Sequence, residues 1–285
     1  MQENFTEKID EYIGKMPSLP VSLSKVLEVC DNMYASAADL NHVISLDPVL
    51  VGRVLKLLNS AYYGLNQRVT NLVRAIIMLG INTIKNLALS SAILGTLPEN
   101  KNLKGINIEG FWRHSLCVGV TAKLLAKKRG IDSKLHEEYF TAGLLHDIGK
   151  IAINAVLSDD YLLTVSNSDR DKIPLYAAED KDLGVNHCAV GQRIVNLWKL
   201  GNPVGDVIIY HHATEYTGSH GDVLNSVILA DYFASVNEIG FAGNRNPVKP
   251  AAKIWDDMGI KENIFEEIET AVNEEIDKAK IFLKI

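Results

Sequence analysis

The chain has 285 residues, 47% of them hydrophobic and 22% charged, which is enough apolar material for a sizeable core and excludes compositional disorder. Lys and Arg number 29 against 35 Asp and Glu, a formal charge of −6, so the basic excess expected of a protein that neutralises phosphates is missing and a nucleic-acid partner is disfavoured. The polar start MQENFTEKIDEYIGK lacks the apolar core of a secretory leader, and no apolar run approaches the ~20 residues of a membrane span, so neither is expected.

Eight prolines, at 17, 20, 48, 98, 174, 203, 247 and 250, leave long intervals in which apolar residues recur at three and four, and this spacing predicts an all-α fold. Within 21–34, Val21, Leu23, Val26, Leu27 and Cys30 form one stripe. Within 45–59, Asp47-Pro48 supplies a side-chain cap and then a ring with preset φ at the first helical position, and Val51, Val54, Leu55 and Leu58 follow. The segment NSAYYG reads as a helix end, with Gly64 free to take positive φ and Tyr62 and Tyr63 packed at a seam between units.

A polar cluster at 98–108 predicts a boundary, dividing the chain into an N-terminal helical unit (1–105), a helical core (106–240) and a C-terminal extension (241–285). These carry 10 basic against 9 acidic groups, 12 against 17, and 7 against 9, so the acidity belongs to the middle. In the extension, Ile264, Ile268, Val272, Ile276 and Ala279 predict a last amphipathic helix, with acidic residues early and lysines late to match its dipole. Its apolar stripe is expected to pack on the same chain.

Five histidines and two aspartates of the middle region sit on apolar helical faces. His114 shares one with Phe111, Val118, Thr121 and Leu125; His146-Asp147 lies in AGLLHDIGK; His187 begins a stripe through Val190, Gly191 and Ile194; His211-His212 end a helix; Asp231 aligns with Leu224, Val227 and Ile228. One such histidine is ordinarily a satisfied core residue. So many on five helices, with buried carboxylates that are costly without a cation, point to a shared metal. Imidazole and carboxylate donors suit iron, manganese, nickel or zinc better than calcium. The cysteines Cys30, Cys117 and Cys188 form no Cys-x-x-Cys pair and read as reduced thiols of a cytoplasmic protein. Cys188 beside His187 is a poor nucleophile candidate, since no carboxylate is expected to orient that histidine.

The ordered set His114, His146-Asp147 and Asp231 resembles the metal signature of the HD superfamily of phosphohydrolases, and His187 with His211-His212 resembles the second-metal ligands of its HD-GYP branch. The segments MPSLPVSLSKVLEV, LNHVISLDPVLVGRVLKLLNSAYYG, LVRAIIMLGINTIKNLALSSAI, FWRHSLCVGVTAKLLA and AGLLHDIGKIAI closely resemble the HDOD family, over roughly residues 16–240. The resemblance implies a bacterial signalling module, an N-terminal helical subdomain packed on an HD-type core, that acts through a regulatory protein partner, often with an eroded site. This chain keeps nearly the whole ligand set. It departs from the HD-GYP branch in lacking the GYP motif and in carrying Gly110 where that branch has a glutamate ligand, so cyclic dinucleotide hydrolysis is not implied.

With two ions, Asp147 would bridge them; His114, His146 and Asp231 would complete one shell, and His187, His211 and His212 would surround the other. A water of lowered pKa could then attack a phosphoryl centre. Lys150 either neutralises charge developing on the phosphate or is a solvated lysine at a helix end. The sequence thus supports two functions: a regulatory protein holding one or two divalent metals, or a metal-dependent phosphohydrolase with Asp147 and Lys150 as catalytic residues acting on a nucleotide or phosphoester.

Overall fold

Helices begin where side chains can replace the missing backbone partners of a first turn. Asn4 caps α1 (Phe5–Lys15); Ser36 and Asp39 form a reciprocal capping box on α3 (Ala37–Ser45); Asp47 accepts from the N–H groups of Val49 and Leu50 at α4 (Pro48–Leu58); Asn71 caps α5 (Leu72–Leu79). A computed structural model describes residues 4–97 and 103–284, and among these it contains helices and no strand, as the periodicity predicts. Part of the expected boundary at 98–108 lies outside the described residues.

α2 runs only Val21–Asp31, short of the predicted residue 34. Asn32 turns extended there and its side-chain oxygen accepts from the Tyr34 N–H at 3.0 Å, a local bond that competes with helix continuation. α6 (Ile81–Thr96) follows α5 after Gly80, and α7 (Ile108–Lys128), capped by Asn107, is the long central helix. No single helix among the described residues is long and apolar enough to cross a membrane; α5 and α6 pass that test only as a pair bent by 117°.

The remaining elements are a 3-10 turn (Ser133–Leu135), α8 (His136–Leu145), α9 (Ile148–Val156), α10 (Ser158–Asp171), α11 (Leu175–Leu183), α12 (His187–Trp198), α13 (Val204–Tyr210), α14 (Gly221–Val236), α15 (Ala252–Met258) and α16 (Ile264–Ala279), ending in a second 3-10 turn (Lys280–Lys284). α7 packs on α8, α14 and α16; α9 crosses α12; α6 lies on α8 and ties the N-terminal helices to the core. α1 reaches across to α9 and α12, where Arg193 Nε pairs with Asp10 Oδ1 at 3.0 Å and Trp198 Nε1 donates to the Pro17 carbonyl at 3.0 Å.

The predicted stripe of α16 is buried: Ile264, Ile268, Val272, Ile276 and Ala279 all face inward. Phe282, just beyond it, meets Tyr62 and Phe140 at ring separations of 5.3 and 4.7 Å. Burying such a ring is worth roughly 1.5–3 kcal/mol, so the C-terminal turn helps to close the seam between the N-terminal helices and α8. Gly64 takes φ +55° and ends the NSAYYG segment, and Tyr62 is buried, as expected from the sequence.

Candidate metal centre

His146 and Asp147 occupy the break between α8 and α9 rather than an unbroken helix. Asp147 sits at φ −97°, ψ 12°, in the bridge region between strand and helix. Ideal helix geometry would splay neighbouring side chains by about 100°. The break instead brings His146 Nε2 to 3.2 Å from Asp147 Oδ2. Glycine permits the approach from the other side: a Cβ on Gly149 would stand 2.0 Å from the His187 carbonyl, so α9 and α12 touch through backbone.

Around this pair the structure gathers the other candidates. His114 Nε2 on α7 lies 3.0 Å from Asp231 Oδ1 on α14, and His146 Nε2 lies 3.9 Å from the same oxygen. On the other side of Asp147, Oδ1 lies 3.3 Å from His187 Nε2 and 3.5 Å from His211 Nε2. Lys150 Nζ donates to Asp147 Oδ2 at 2.7 Å and to the Ala242 carbonyl at 3.1 Å. It is buried, which corrects the alternative of a solvated lysine.

The histidine tautomers follow from their partners. His146 Nδ1 lies 2.7 Å from the Gly143 carbonyl, His211 Nδ1 2.9 Å from the Val207 carbonyl, and His187 Nδ1 2.6 Å from Glu179 Oε2. A carbonyl only accepts, and the Glu179 carboxylate accepts from the His187 ring, so Nδ1 carries a hydrogen in each ring; Nε2 points to the centre, and the Nε2 atoms of His187 and His211, 3.3 Å apart, share a proton or face a cation. Three buried atoms there have no hydrogen-bond partner: His114 Nε2, His146 Nε2 and Asp147 Oδ1. His114 Nε2 is close to Asp231 but not aligned for a hydrogen bond. Buried, partnerless polar atoms among groups of His and Asp donors that lie within 4.8 Å of one another match the requirement of a divalent transition metal, so the residues present fit such an ion.

The charge balance agrees. Asp147, Asp231 and Glu179 are opposed by one ammonium, that of Lys150. Burial pushes the Asp147 carboxyl up, but the neighbouring His146 and Lys150 outweigh it and hold the group well below its ordinary range; Asp231 is held down chiefly by His114 against the same burial penalty. Burial alone would lower the Lys150 pKa, yet Asp147 raises it. His187 rises to about 9, because Glu179 outweighs its burial. Excess negative charge is thus met by protons on histidine or by a metal cation competing for the same lone pairs.

Two residues at the site were not identified from sequence in these roles. Glu179 on α11 is fully buried and accepts from the Tyr161 hydroxyl at 2.6 Å and from the His187 N–H at 2.9 Å as well as from its ring. This corrects the expectation that no carboxylate orients His187. Glu179 occurs in a charged run, AAEDKDL, whose appearance is that of a solvated helix. Cys188 Sγ lies 3.7 and 3.8 Å from the two His211 ring nitrogens; burial would raise its pKa, but His211 and His187 draw it down to about 6.

His212 is the one sequence candidate set apart from the groups of mutually close donor atoms. Its ring stacks on Tyr176 at 4.7 Å and 27°, and burial holds its pKa well below the ordinary value. Together with Tyr176, His211 and Asp231 it lines a cleft of about 420 Å³, walled on the other side by residues of 244–251. The cleft gives the centre access to a ligand. Gly110 lies under the backbone of Phe241, whose N–H donates to the Gly110 carbonyl at 2.9 Å; a Cβ at 110 would meet Phe241 O at 3.3 Å.

The HDOD domain family matches residues 16–214. An uncharacterized protein of Treponema pallidum (strain Nichols) is 29% identical over 209 residues, which are 72% of this chain but 39% of that protein, so the chain spans well under half of this relative's length. Among solved structures, an HDOD domain protein of unknown function from Geobacter sulfurreducens aligns over 98% of this chain and 97% of its own, with TM-score 0.75 and 24% identity. A protein of Shewanella amazonensis SB2B named "Putative phosphohydrolase" aligns over 99% and 98%, with TM-score 0.69 and 25% identity.

Proposed function

The chain belongs to the HDOD family, and on that premise we propose that it is a bacterial regulatory protein whose core (106–240) holds a divalent transition metal and whose action passes mainly to a protein partner. The observation that carries the metal is that His114 Nε2, His146 Nε2 and Asp147 Oδ1 are buried without hydrogen-bond partners, within two groups of donors, His114/His146/Asp231 and His146/Asp147/His211, each mutually within 4.8 Å. His114, His146, Asp147 and Asp231 are the ligands at one position, with His187 and His211 on the opposite face of Asp147 and His212 in the cleft beside them. The extension (241–285) supports both units.

A second function, metal-dependent phosphohydrolysis, is favoured by the cleft over Asp231 and His212, which could admit a phosphoester. A bound metal would supply Lewis acidity toward a phosphoryl oxygen. Asp147 and Asp231 would orient around it, and Lys150, with its ammonium already shared by Asp147 and Ala242, would keep Asp147 ionised rather than touch the substrate. The missing GYP motif and Gly110 favour regulation over catalysis.

Elemental analysis of wild type and Asp147→Ala, followed by phosphatase and phosphodiesterase assays with added manganese or iron, separates the two. Metal in the wild type without turnover supports the regulatory function. Turnover lost in Asp147→Ala supports the hydrolase. Absence of metal from the wild type under all loading conditions rejects both site assignments.

A further inference from the structure

We propose that the cleft beside Asp231 and His212 receives a phosphomonoester with a flat apolar body, its phosphoryl group at the metal centre and its body against a wall built by the C-terminal extension. This rests on the metal-binding function above and adds the chemical class of the ligand and the residues that select it.

The cleft has two chemically different ends. At one stand His211 and Asp231, each a member of a group of donors close enough to share an ion. Away from them the lining is apolar, formed chiefly by Tyr176, Ile228, Tyr232, Pro247, Pro250 and Ile254. Tyr176, Ile228, Tyr232 and Ile254 are only half-buried, so apolar surface is left for a ligand to cover. A volume of about 420 Å³ with an apolar lining and few polar groups is the usual character of a small-molecule site.

The wall is held in place before any ligand arrives. Residues 241–251 form neither helix nor strand, yet they are pinned along their length. The Phe241 N–H donates to the Gly110 carbonyl at 2.9 Å, and the Ala242 carbonyl accepts from Lys150 at 3.1 Å. Arg245 pairs with Asp169 at 2.6 Å, and the Asn246 side chain donates to the Ser168 carbonyl at 3.2 Å. A wall fixed in this way loses little entropy when a ligand binds.

Charge and hydrogen-bonding capacity narrow the ligand. The cleft's one ammonium or guanidinium among the described residues is Lys249, exposed and already 2.7 Å from Glu262 Oε2. A metal at the centre meets one phosphoryl group; a second, farther along, would face apolar wall without an unpaired cation. The one side-chain amide in the lining, Asn244, already accepts from the N–H groups of Leu175 and Asn246. A polyphosphate or a body rich in hydroxyls therefore fits less well than a flat apolar one.

Phosphonates are the probes, because a hydrolase leaves their carbon–phosphorus bond intact. Full-length protein loaded with zinc and freed of excess metal is titrated with methylphosphonate and phenylphosphonate by calorimetry, beside metal-free protein. The loaded wild type should bind phenylphosphonate roughly 10–100-fold more tightly than methylphosphonate, the gain from covering part of a ring. Ile254→Ala and Val248→Ser, both in the lining and away from the metal, should reduce that ratio with zinc content and methylphosphonate affinity unchanged. Equal affinity of the two phosphonates for the wild type overturns the proposal, as does a ratio that survives in both variants. Phenylphosphonate binding as tightly without zinc also overturns it, since the phosphoryl group would then not lie at the metal. Zinc-loaded protein that binds neither phosphonate overturns it while leaving the metal position standing; protein that retains no zinc rejects the metal site and the proposal together. The decisive ratio is that of the wild type, so poor folding of a variant cannot protect the proposal.

Discussion

Gly149 and His187 are in backbone contact: an added Cβ at 149 would lie 2.0 Å from the His187 carbonyl oxygen and 2.9 Å from the Gly191 nitrogen. Neither neighbour is a side-chain tip that can swing away. Gly149→Ala is therefore expected to push the start of α12 off α9, destabilising the fold by about 1–3 kcal/mol and moving His187 from Asp147. Urea unfolding should show a lower midpoint at unchanged slope, together with reduced bound metal. Wild-type metal content in this variant would mean that the crossing does not set the site.

Glu179 fixes His187 through its ring and its backbone at once. Replacing it by glutamine keeps the size but removes the charge that raises the His187 pKa to about 9, so the pKa should fall. Metal affinity measured by chelator competition should weaken roughly 10–100-fold. Tyr161→Phe, which removes one donor to Glu179, should cost less. Equal affinity in Glu179→Gln and wild type would leave Glu179 as a purely structural residue.

Lys150 balances Asp147, and its loss strands a buried carboxylate. Lys150→Met is expected to lower the stability of the metal-free protein by about 3–5 kcal/mol, the typical cost of breaking one side of a buried pair. A cation at the centre offsets that loss. The rise in Tm on adding zinc should consequently be larger in Lys150→Met than in the wild type; an equal or smaller rise would show that Lys150 and the metal do not act on the same charge.

Asp47 gives a prediction away from the site. Its pKa is lowered first by the Ser22 hydroxyl, 2.6 Å away, and then by the N–H groups of Leu50 and Val49. A depressed folded-state pKa means stability present above the unfolded value, near 4, and lost as pH falls through the folded one. Asp47→Ala should cost about 1 kcal/mol at pH 7, the usual worth of an N-cap. The gap between wild type and variant should narrow below pH 4; a constant gap down to pH 2 would assign the effect to something other than the ionised cap.

The helical class and most helix positions were legible in the sequence because they depend on local signals, the three-four spacing and caps such as Asp47-Pro48. The histidine cluster was legible for a related reason: polar side chains on apolar stripes such as those of α7 and α14 must share a buried solution. What escaped was set by tertiary contact. Glu179 looked solvated because its partners, Tyr161 and His187, come from two other helices. Ideal helix angles would have splayed His146-Asp147, yet the pair lies at the break between α8 and α9 where those angles do not hold. The stacking of His212 on Tyr176 from α11, beside the His211 and His187 rings, depends on the same kind of contact between helices.

Phe241 lying across Gly110 has a bearing on how this site could change. A glutamate at 110 would place the first carbon of its side chain against the Phe241 backbone at 3.3–3.4 Å. The same turn offers the Ala242 carbonyl to Lys150. A glutamate there would need the turn to shift by a few tenths of an ångström, and the turn that shifts is the one that accepts from Lys150. Any side chain at 110 is thereby coupled, through a single turn, to the lysine that pairs with Asp147.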